Sequence, residues 1–350
     1  MRDPAALAVV GGRLLTDLVD VTSDLSALDG HGQWAVVVPF DGQPLCARFA
    51  RVRPARPWPG PQWHGPAAGD WRSSLDHDQF CAGVDSIRGS IAAGDVYQVN
   101  LTRRMSAPLR RDRHGAIDAD VAALGAALGT GNPAPYAAVV RVPSAGCHVA
   151  SASPERFLHR SGRSVTSSPI KGTAATADAF LPKDRAENVM IVDLVRNDLG
   201  RVCEWGSVEV PALCAVEQHP GLVHLVSTVT GRLRDGVGWP EVIAATFPPG
   251  SVTGAPKLAA LDVIAKLETA PRGVYCGAVG WVDADRVEGD LNVAIRTFWI
   301  EHGQLHLGTG GGITWDSTPE GEWAETDLKA HRLLAVASTS APASRGQGSP

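Results

Sequence analysis

Two hydrophobic periods alternate along this chain without settling into a strand–helix–strand repeat, and that restricts its fold more than any other feature. Phe80, Val84, Ile87 and Ile91 recur at helical spacing over 76–94, and Gly94 stands just past the end, which predicts a helix. It leads into 96–105, where Tyr97, Val99 and Leu101 alternate with Gln98, Asn100 and Thr102 at the period of a half-buried strand. Further helices are expected over 116–128, 183–199, from Trp239 to Phe247, over 256–267 and over 320–336. Strands are expected at 34–38, 136–142, 147–152, 207–210, 222–233, 274–282 and 291–301, with a glycine-rich turn at 308–312. Helices do not separate the strands one by one, so the pattern points to α+β rather than a doubly wound parallel sheet.

Two short elements set a reactive side chain beside a backbone breaker: Ser153-Pro154-Glu155-Arg156-Phe157-Leu158 and Ser168-Pro169-Ile170-Lys171-Gly172-Thr173. Proline biases the residue before it away from helix, and glycine lets the backbone pass close to a ligand, so Glu155 and Lys171 belong on strand ends or tight turns. A buried lysine can act as a nucleophile, and a carboxylate beside it can carry a proton to or from a leaving group. By themselves these residues read first as a surface salt bridge between two strand ends.

The net charge of −5 and the scattered arginines exclude an electrostatic footprint for nucleic acid. No run approaches the ~20 apolar residues of a membrane span, and the N-terminus lacks a basic segment followed by an apolar stretch, so a cytoplasmic protein is expected. Six cysteines show no paired metal-ribbon or redox spacing and read as thiols. The Pro-, Gly- and Trp-rich stretch 54–71 reads as a loop or linker. The expected division is a short N-terminal region over 1–72, a catalytic domain over 73–337 and a flexible tail over 338–350.

From Gly94-Asp95-Val96-Tyr97-Gln98-Val99-Asn100-Leu101 to Trp323-Ala324-Glu325-Thr326, about two thirds of the chain, successive blocks resemble the chorismate-utilising enzymes. Several blocks in one order make the likeness specific. It implies two intertwined α/β halves forming a central β-sandwich with helices outside, and an active site in a cleft between them.

The resemblance also assigns roles. Glu187, in Asp184-Arg185-Ala186-Glu187-Asn188, and Glu325 match the family's Mg²⁺-binding blocks, with Glu322 a third acidic candidate. Arg296 would clamp a substrate carboxylate. The blocks Ser-Val-Thr-Gly-Ala-Pro-Lys and Gly-Thr-Gly-Gly-Gly-Ile match the substrate cradle, which brings in Thr253, Gly254, Lys257, Gly310, Gly311 and Gly312, with Tyr275 as a further lining residue. His224 corresponds to a histidine near the ring. Isochorismate- and salicylate-forming relatives have a lysine base where this chain has Gln98, and anthranilate-forming relatives have alanine where it has Lys171.

Both positions imply the branch that aminates C4 of chorismate, with Lys171 as covalent nucleophile, Glu155 as acid, and ammonia from a separate glutaminase subunit. The alternatives are an anthranilate-forming large subunit and a catalytically silent chorismate-binding subunit. The tryptophan feedback element Leu-Leu-Glu-Ser is missing, with Gly12-Arg13-Leu14-Leu15 in its region. The connection from Thr173 to Lys183 is short and lacks the basic residues that relatives often carry there.

Overall fold

Asp76 starts the first helix by accepting a hydrogen bond from the Gln79 amide at 2.8 Å, while Gln79 Oε1 accepts from the Asp76 amide at 3.0 Å. This reciprocal cap opens α1 (His77–Ala93), and Gly94 closes it with a φ of 83°, a conformation costly for any residue with a Cβ. Phe80, Val84 and Ile87 are wholly buried, each contributing roughly 1.5–3 kcal/mol of apolar burial. The structure, a computed structural model, describes residues 3, 5–111, 113–114, 117, 119–174, 176–219 and 222–338. The expected tail beyond Ser338 lies outside the described residues.

The N-terminal strands are β1 (Leu7–Val10), β2 (Arg13–Thr22), β3 (Gln33–Val38) and β4 (Leu45–Pro54). β5 (Arg72–Ser73) precedes α1 and β6 (Gln98–Pro108) follows it; then come α2 (Val121–Gly131), β7 (Tyr136–Val142) and β8 (Cys147–Ser153). β9 (Arg156–Ser161), β10 (Ser164–Ser168) and β11 (Ile170–Ala174) lead into α3 (Pro182–Gly200). β12 (Glu209–His219), β13 (Leu222–Arg232), α4 (Trp239–Thr246), β14 (Gly254–Ala255) and α5 (Lys257–Leu267) come next. The chain ends in β15 (Ala278–Asp283), β16 (Glu288–Val293), β17 (Thr297–Glu301), β18 (Gln304–Ile313) and α6 (Pro319–Ala337).

All the described pairings are antiparallel, and they join the strands in the order β5, β6, β18, β17, β8, β7, β1, β2, β4, β3, β15, β16, β9, β10, β13, β12. β11 continues the line of β10 along β13, and β14 adds to β6. The expected mixture of helix and sheet with intertwined halves is therefore present. β6 and β8 pair with the last strands of the chain, β18 and β17, and β9 joins the other half through β16. β1 to β4 stand in the middle of the order and join the two halves.

Three apolar clusters back the sheet. The largest combines Ile191, Val195 and Leu199 of α3 and Val242 of α4 with Val140, Leu158 and Val229. α2 and α6 share a second with Leu124 and Leu333, and α1 and α5 a third with Leu101. The stretch 54–71 is a loop tied to the end of α6: Trp63 Nε1 donates to Ala337 O at 2.8 Å and Trp71 Nε1 to Ser338 Oγ at 3.0 Å. No helix among the described residues is long and apolar enough to cross a membrane.

Five sequence expectations need correction. The strand expected over 274–282 begins only at Ala278, as β15, after a turn through Val274 to Gly277 whose Gly277 amide donates to Val274 O at 3.0 Å. The helix expected over 116–128 starts at Val121, because Asp120 is the residue whose side chain caps an amide, that of Ala122 at 2.8 Å; Ala116 lies outside the described residues. The short strand at 207–210 becomes β12, extended by its pairing with β13. The strand expected over 291–301 breaks between β16 and β17, where the Ile295 amide turns back to Val293 O at 2.7 Å and Arg296 takes a φ of 52°. The glycine-rich turn at 308–312 is instead part of β18, in register with Arg104 to Asn100 of β6. Its glycines fit a strand because neighbours fill the space: a Cβ on Gly308 would lie 2.1 Å from the Tyr275 ring.

Candidate active site

Glu155 sits where β8 passes into β9, and its backbone is held on both sides. Its amide donates to Ser153 Oγ at 3.2 Å, and its carbonyl accepts from the Val293 amide at 3.0 Å. The residue is only 4% exposed. Burial pushes its carboxyl up from the ordinary 4.5 to about 7, against the opposing pull of Ser251, Lys171, the Ile170 backbone and Arg296. A carboxylic acid of that strength is protonated near neutrality and can donate.

Lys171 follows the irregularity in β11, and Gly172 beside it has a φ of 91°, which brings this strand within 3.1 Å of the Asp184 Cβ on α3 when measured from a Cβ built on the glycine. The lysine reaches toward β18. A Cβ on Gly312 would lie 3.2 Å from Lys171 Nζ and 1.9 Å from Gln98 Nε2. Gln98 is 1% exposed, and its Oε1 has no hydrogen-bond partner among the described residues. A buried amide oxygen in that state is a ready acceptor for a ligand group. Arg296, displaced from its strand by the break, is partly buried; burial lowers its pKa and the nearby Glu155 charge raises it.

Three glutamates form the acidic side of the site. Asn188 anchors α3 by donating from Nδ2 to Leu225 O at 3.1 Å and accepting from Ser227 Oγ, which sets Glu187 toward Lys171 and Lys183. Burial raises the Glu187 carboxyl against those two cations, while Asp184 and Glu325 raise it further. Burial also raises Glu322, which accepts a hydrogen bond from Ser317 Oγ at 2.6 Å and feels Glu325 and Glu187. For Glu325 the upward push of burial is outweighed by Lys329, whose Nζ lies 2.6 Å from Oε1, so its pKa is lowered.

Among the described residues no three acidic, histidine or cysteine side chains converge as a ready-made metal cage. Lys329 Nζ lies 2.6 Å from Glu325 Oε1, and Ser317 Oγ donates to Glu322 Oε1 at 2.6 Å. The donor set still fits Mg²⁺. Glu187 and Glu325 offer hard oxygens within repulsive reach of one another, and Mg²⁺ commonly takes one or two carboxylates while keeping several waters.

The other expected residues divide. Gly311 packs where a Cβ would lie 2.8 Å from Glu322 Oε2, and Gly310 O accepts from Lys329 Nζ at 3.0 Å, so both border the acidic side. Thr253 is fully buried, and its hydroxyl donates to Pro249 O at 3.1 Å, within its own turn. Gly254 is demanded by the pairing of β14 with β6, since a Cβ would lie 2.2 Å from Gln98 O. Lys257 Nζ donates to Asp198 Oδ2 at 2.6 Å and to Thr246 O at 3.1 Å. Tyr275 is buried in the core against Gly308. His224 is buried on β13, opposite Thr173 of β11 and Glu217 of β12.

Sequence reasoning missed Ser251, Asp198 and Lys183 as neighbours of this site. Lys329 had a visible signal, its i+4 spacing from Glu325 on α6. Ser251 heads the Ser-Val-Thr-Gly-Ala-Pro-Lys block already matched to the substrate cradle, whereas Asp198 had no signal, because only the packing of α3 beside Glu155 brings it in.

A profile of the chorismate binding enzymes matches residues 45–335, and this chain belongs to that family. It is 40% identical over 276 residues to aminodeoxychorismate synthase component 1 of Klebsiella aerogenes, an alignment covering 75% of this chain and 59% of that protein. It is 39% identical over 307 residues to anthranilate synthase component 1 of Streptomyces coelicolor, covering 84% and 56%. The chain thus spans somewhat over half the length of these curated relatives. Among solved structures, anthranilate synthase component I from Streptococcus pneumoniae superposes with a TM-score of 0.74 at 24% identity, covering 95% of this chain and 90% of that one. The menaquinone-specific isochorismate synthase from Escherichia coli gives 0.78 at 18%, covering 96% and 89%. These two likenesses establish the shared fold.

Proposed function

We propose that this protein replaces the 4-hydroxyl of chorismate with an amino group, using ammonia from a separate glutaminase subunit and Mg²⁺. The observation that carries the reading is Lys171, an amine directed at the side-chain-free Gly312 of β18 and within electrostatic reach of Glu155, an acid near pKa 7. The similarity to aminodeoxychorismate synthase component 1 of several bacteria supports it.

Lys171, as the free amine, forms a bond to ring carbon C2. The ring double bonds shift, the C4–O bond breaks, and the Glu155 proton joins the departing hydroxyl to make water. Ammonia then forms the C4–N bond, the double bonds shift back, and the C2–N bond breaks to release the lysine as an amine. The new nitrogen carries one proton more than an amine needs, which balances the proton Glu155 gave up. Arg296 and the backbone along β18 would hold carboxylate, Gln98 Oε1 would accept from a substrate hydroxyl, and His224 would stand near the ring. Mg²⁺ held by Glu187 and Glu325, with Glu322 in support, would supply positive charge for a ring carboxylate.

Incubation with chorismate, Mg²⁺ and ammonium, followed by product identification, tests the reading. 4-Amino-4-deoxychorismate with its enolpyruvyl group retained supports it. Anthranilate as product overturns it in favour of the second reading, which the similarity to the Streptomyces coelicolor enzyme keeps in view.

A further inference from the structure

Glu322, Glu325 and Lys329 follow one another at helical spacing on α6 and share one of its faces. The Lys329 ammonium is held twice, by Glu325 Oε1 at 2.6 Å and by Gly310 O of β18 at 3.0 Å. The ion pair is half-open to solvent, with side chains 47% and 50% accessible, so it contributes little to stability. Its place matters more. An Mg²⁺ bound to Oε1 at the usual distance of ~2.1 Å would stand within about 5 Å of that ammonium, and two cations so close repel. A second carboxylate is at hand. Glu322 Oε1 accepts from Ser317 Oγ at 2.6 Å, while Glu322 Oε2 and the Lys329 ammonium lie 2.8 Å and 4.0 Å from one point, where a Cβ on Gly311 would stand. Lys329 is near enough to draw the Glu322 carboxyl down against its burial.

We propose that Lys329 is an exchangeable cation at this site, which yields Glu325 to Mg²⁺ and pivots about Gly310 O onto Glu322. The proposal rests on the reading of Glu325 as an Mg²⁺ ligand. Gly310 O belongs to the strand backbone, so one of the two hydrogen bonds of the ammonium survives the move and only the carboxylate changes. No covalent bond is made or broken, and no proton is transferred. Charge gives the exchange its direction: a divalent cation replaces a monovalent one at Glu325, and the displaced ammonium brings its charge to Glu322, a carboxyl that burial and two neighbouring glutamates push up. Glu322 is then the acceptor of the lysine rather than a third ligand, in keeping with its separate tie to Ser317. Because Lys329 must leave before Glu325 takes the metal, the exchange sets the free Mg²⁺ concentration at which the site fills.

Calorimetric titration with Mg²⁺ alone, on the full chain and without substrate, tests this in wild type, Lys329→Met, Glu322→Gln and the double variant, with thermal unfolding to show that each is folded. Lys329→Met should tighten Mg²⁺ binding about fivefold, the size expected when an exposed ion pair no longer competes. Glu322→Gln should weaken binding about threefold on its own and leave it unchanged in the Lys329→Met background, where there is no ammonium for Glu322 to receive. Wild-type or weaker affinity in Lys329→Met overturns the proposal. An equal loss from Glu322→Gln in both backgrounds also overturns it, since Glu322 would then act on the metal directly or through its charge alone. Either result leaves the proposed function standing, whereas Mg²⁺ binding to none of the four proteins would remove the metal from that function and the exchange with it.

Discussion

Lys171 Nζ lies 3.2 Å from the point where a side chain on Gly312 would begin, so the nucleophile and the glycine strand are matched in shape. Gly312 has an ordinary φ, and what forbids a methyl there is the crowd of Lys171 and Gln98. Gly312→Ala should lower kcat about a hundredfold, the effect of misplacing a reacting group by roughly 1 Å, and lower stability by about 1–3 kcal/mol, because the buried Gln98 amide must move aside. Steady-state kinetics beside thermal unfolding checks this; wild-type kcat would mean that the close approach serves packing alone.

Lys171→Ala removes the amine but leaves Arg296 and the three glutamates in place. C4 amination with ammonium should fall on the order of 10⁴-fold, the loss expected when one member of a catalytic unit is deleted. Chorismate affinity, measured by calorimetry, should change far less. A variant that aminates C4 at the wild-type rate would remove the covalent route from consideration.

Glu155→Gln keeps the shape of the side chain and deletes its titration. Activity should fall about 10²–10⁴-fold, the range for loss of a general acid. In the wild type, kcat should decline as pH rises through about 7 and the acid loses its proton. Stability follows the same sign. The folded carboxyl holds its proton up to about 7 while the unfolded one releases it near 4.5, so wild-type stability falls across that window as pH rises. At pH 8 the glutamine variant should be more stable by up to about 3 kcal/mol, and below pH 4.5 the two should agree. Urea unfolding at both pH values decides it, and parallel curves across the window would show that Glu155 does not titrate as described.

Glu187→Gln and Glu325→Gln each remove one charge from the acidic side without changing volume. If both hold one Mg²⁺, each should weaken the apparent Mg²⁺ affinity, and the double variant should lose little more activity than either single one. Activity titrated against Mg²⁺ in all three variants reads this directly. Losses that multiply, with an unchanged Mg²⁺ dependence, would separate the two residues into independent roles.

Much of this protein was legible in the chain itself. The helical period of Phe80, Val84 and Ile87, the alternation around Val99, and the proline and glycine beside Glu155 and Lys171 express local preferences that act within a few residues. The order of blocks from Gly94 to Thr326 carried the family. Tertiary structure decided the rest, because the deciding contacts join residues far apart in sequence. Gly308 to Gly312 read as a turn, since glycine is a breaker wherever its neighbours are unknown; facing β6, with Tyr275, Gln98 and Glu322 filling the missing side-chain space, the same glycines form a strand. The ion pair of Lys257 with Asp198, 59 positions away, had no local signal. The pKa of Glu155 likewise had no sequence signal, because it comes from burial between strands and a turn that meet only when the sheet closes around them.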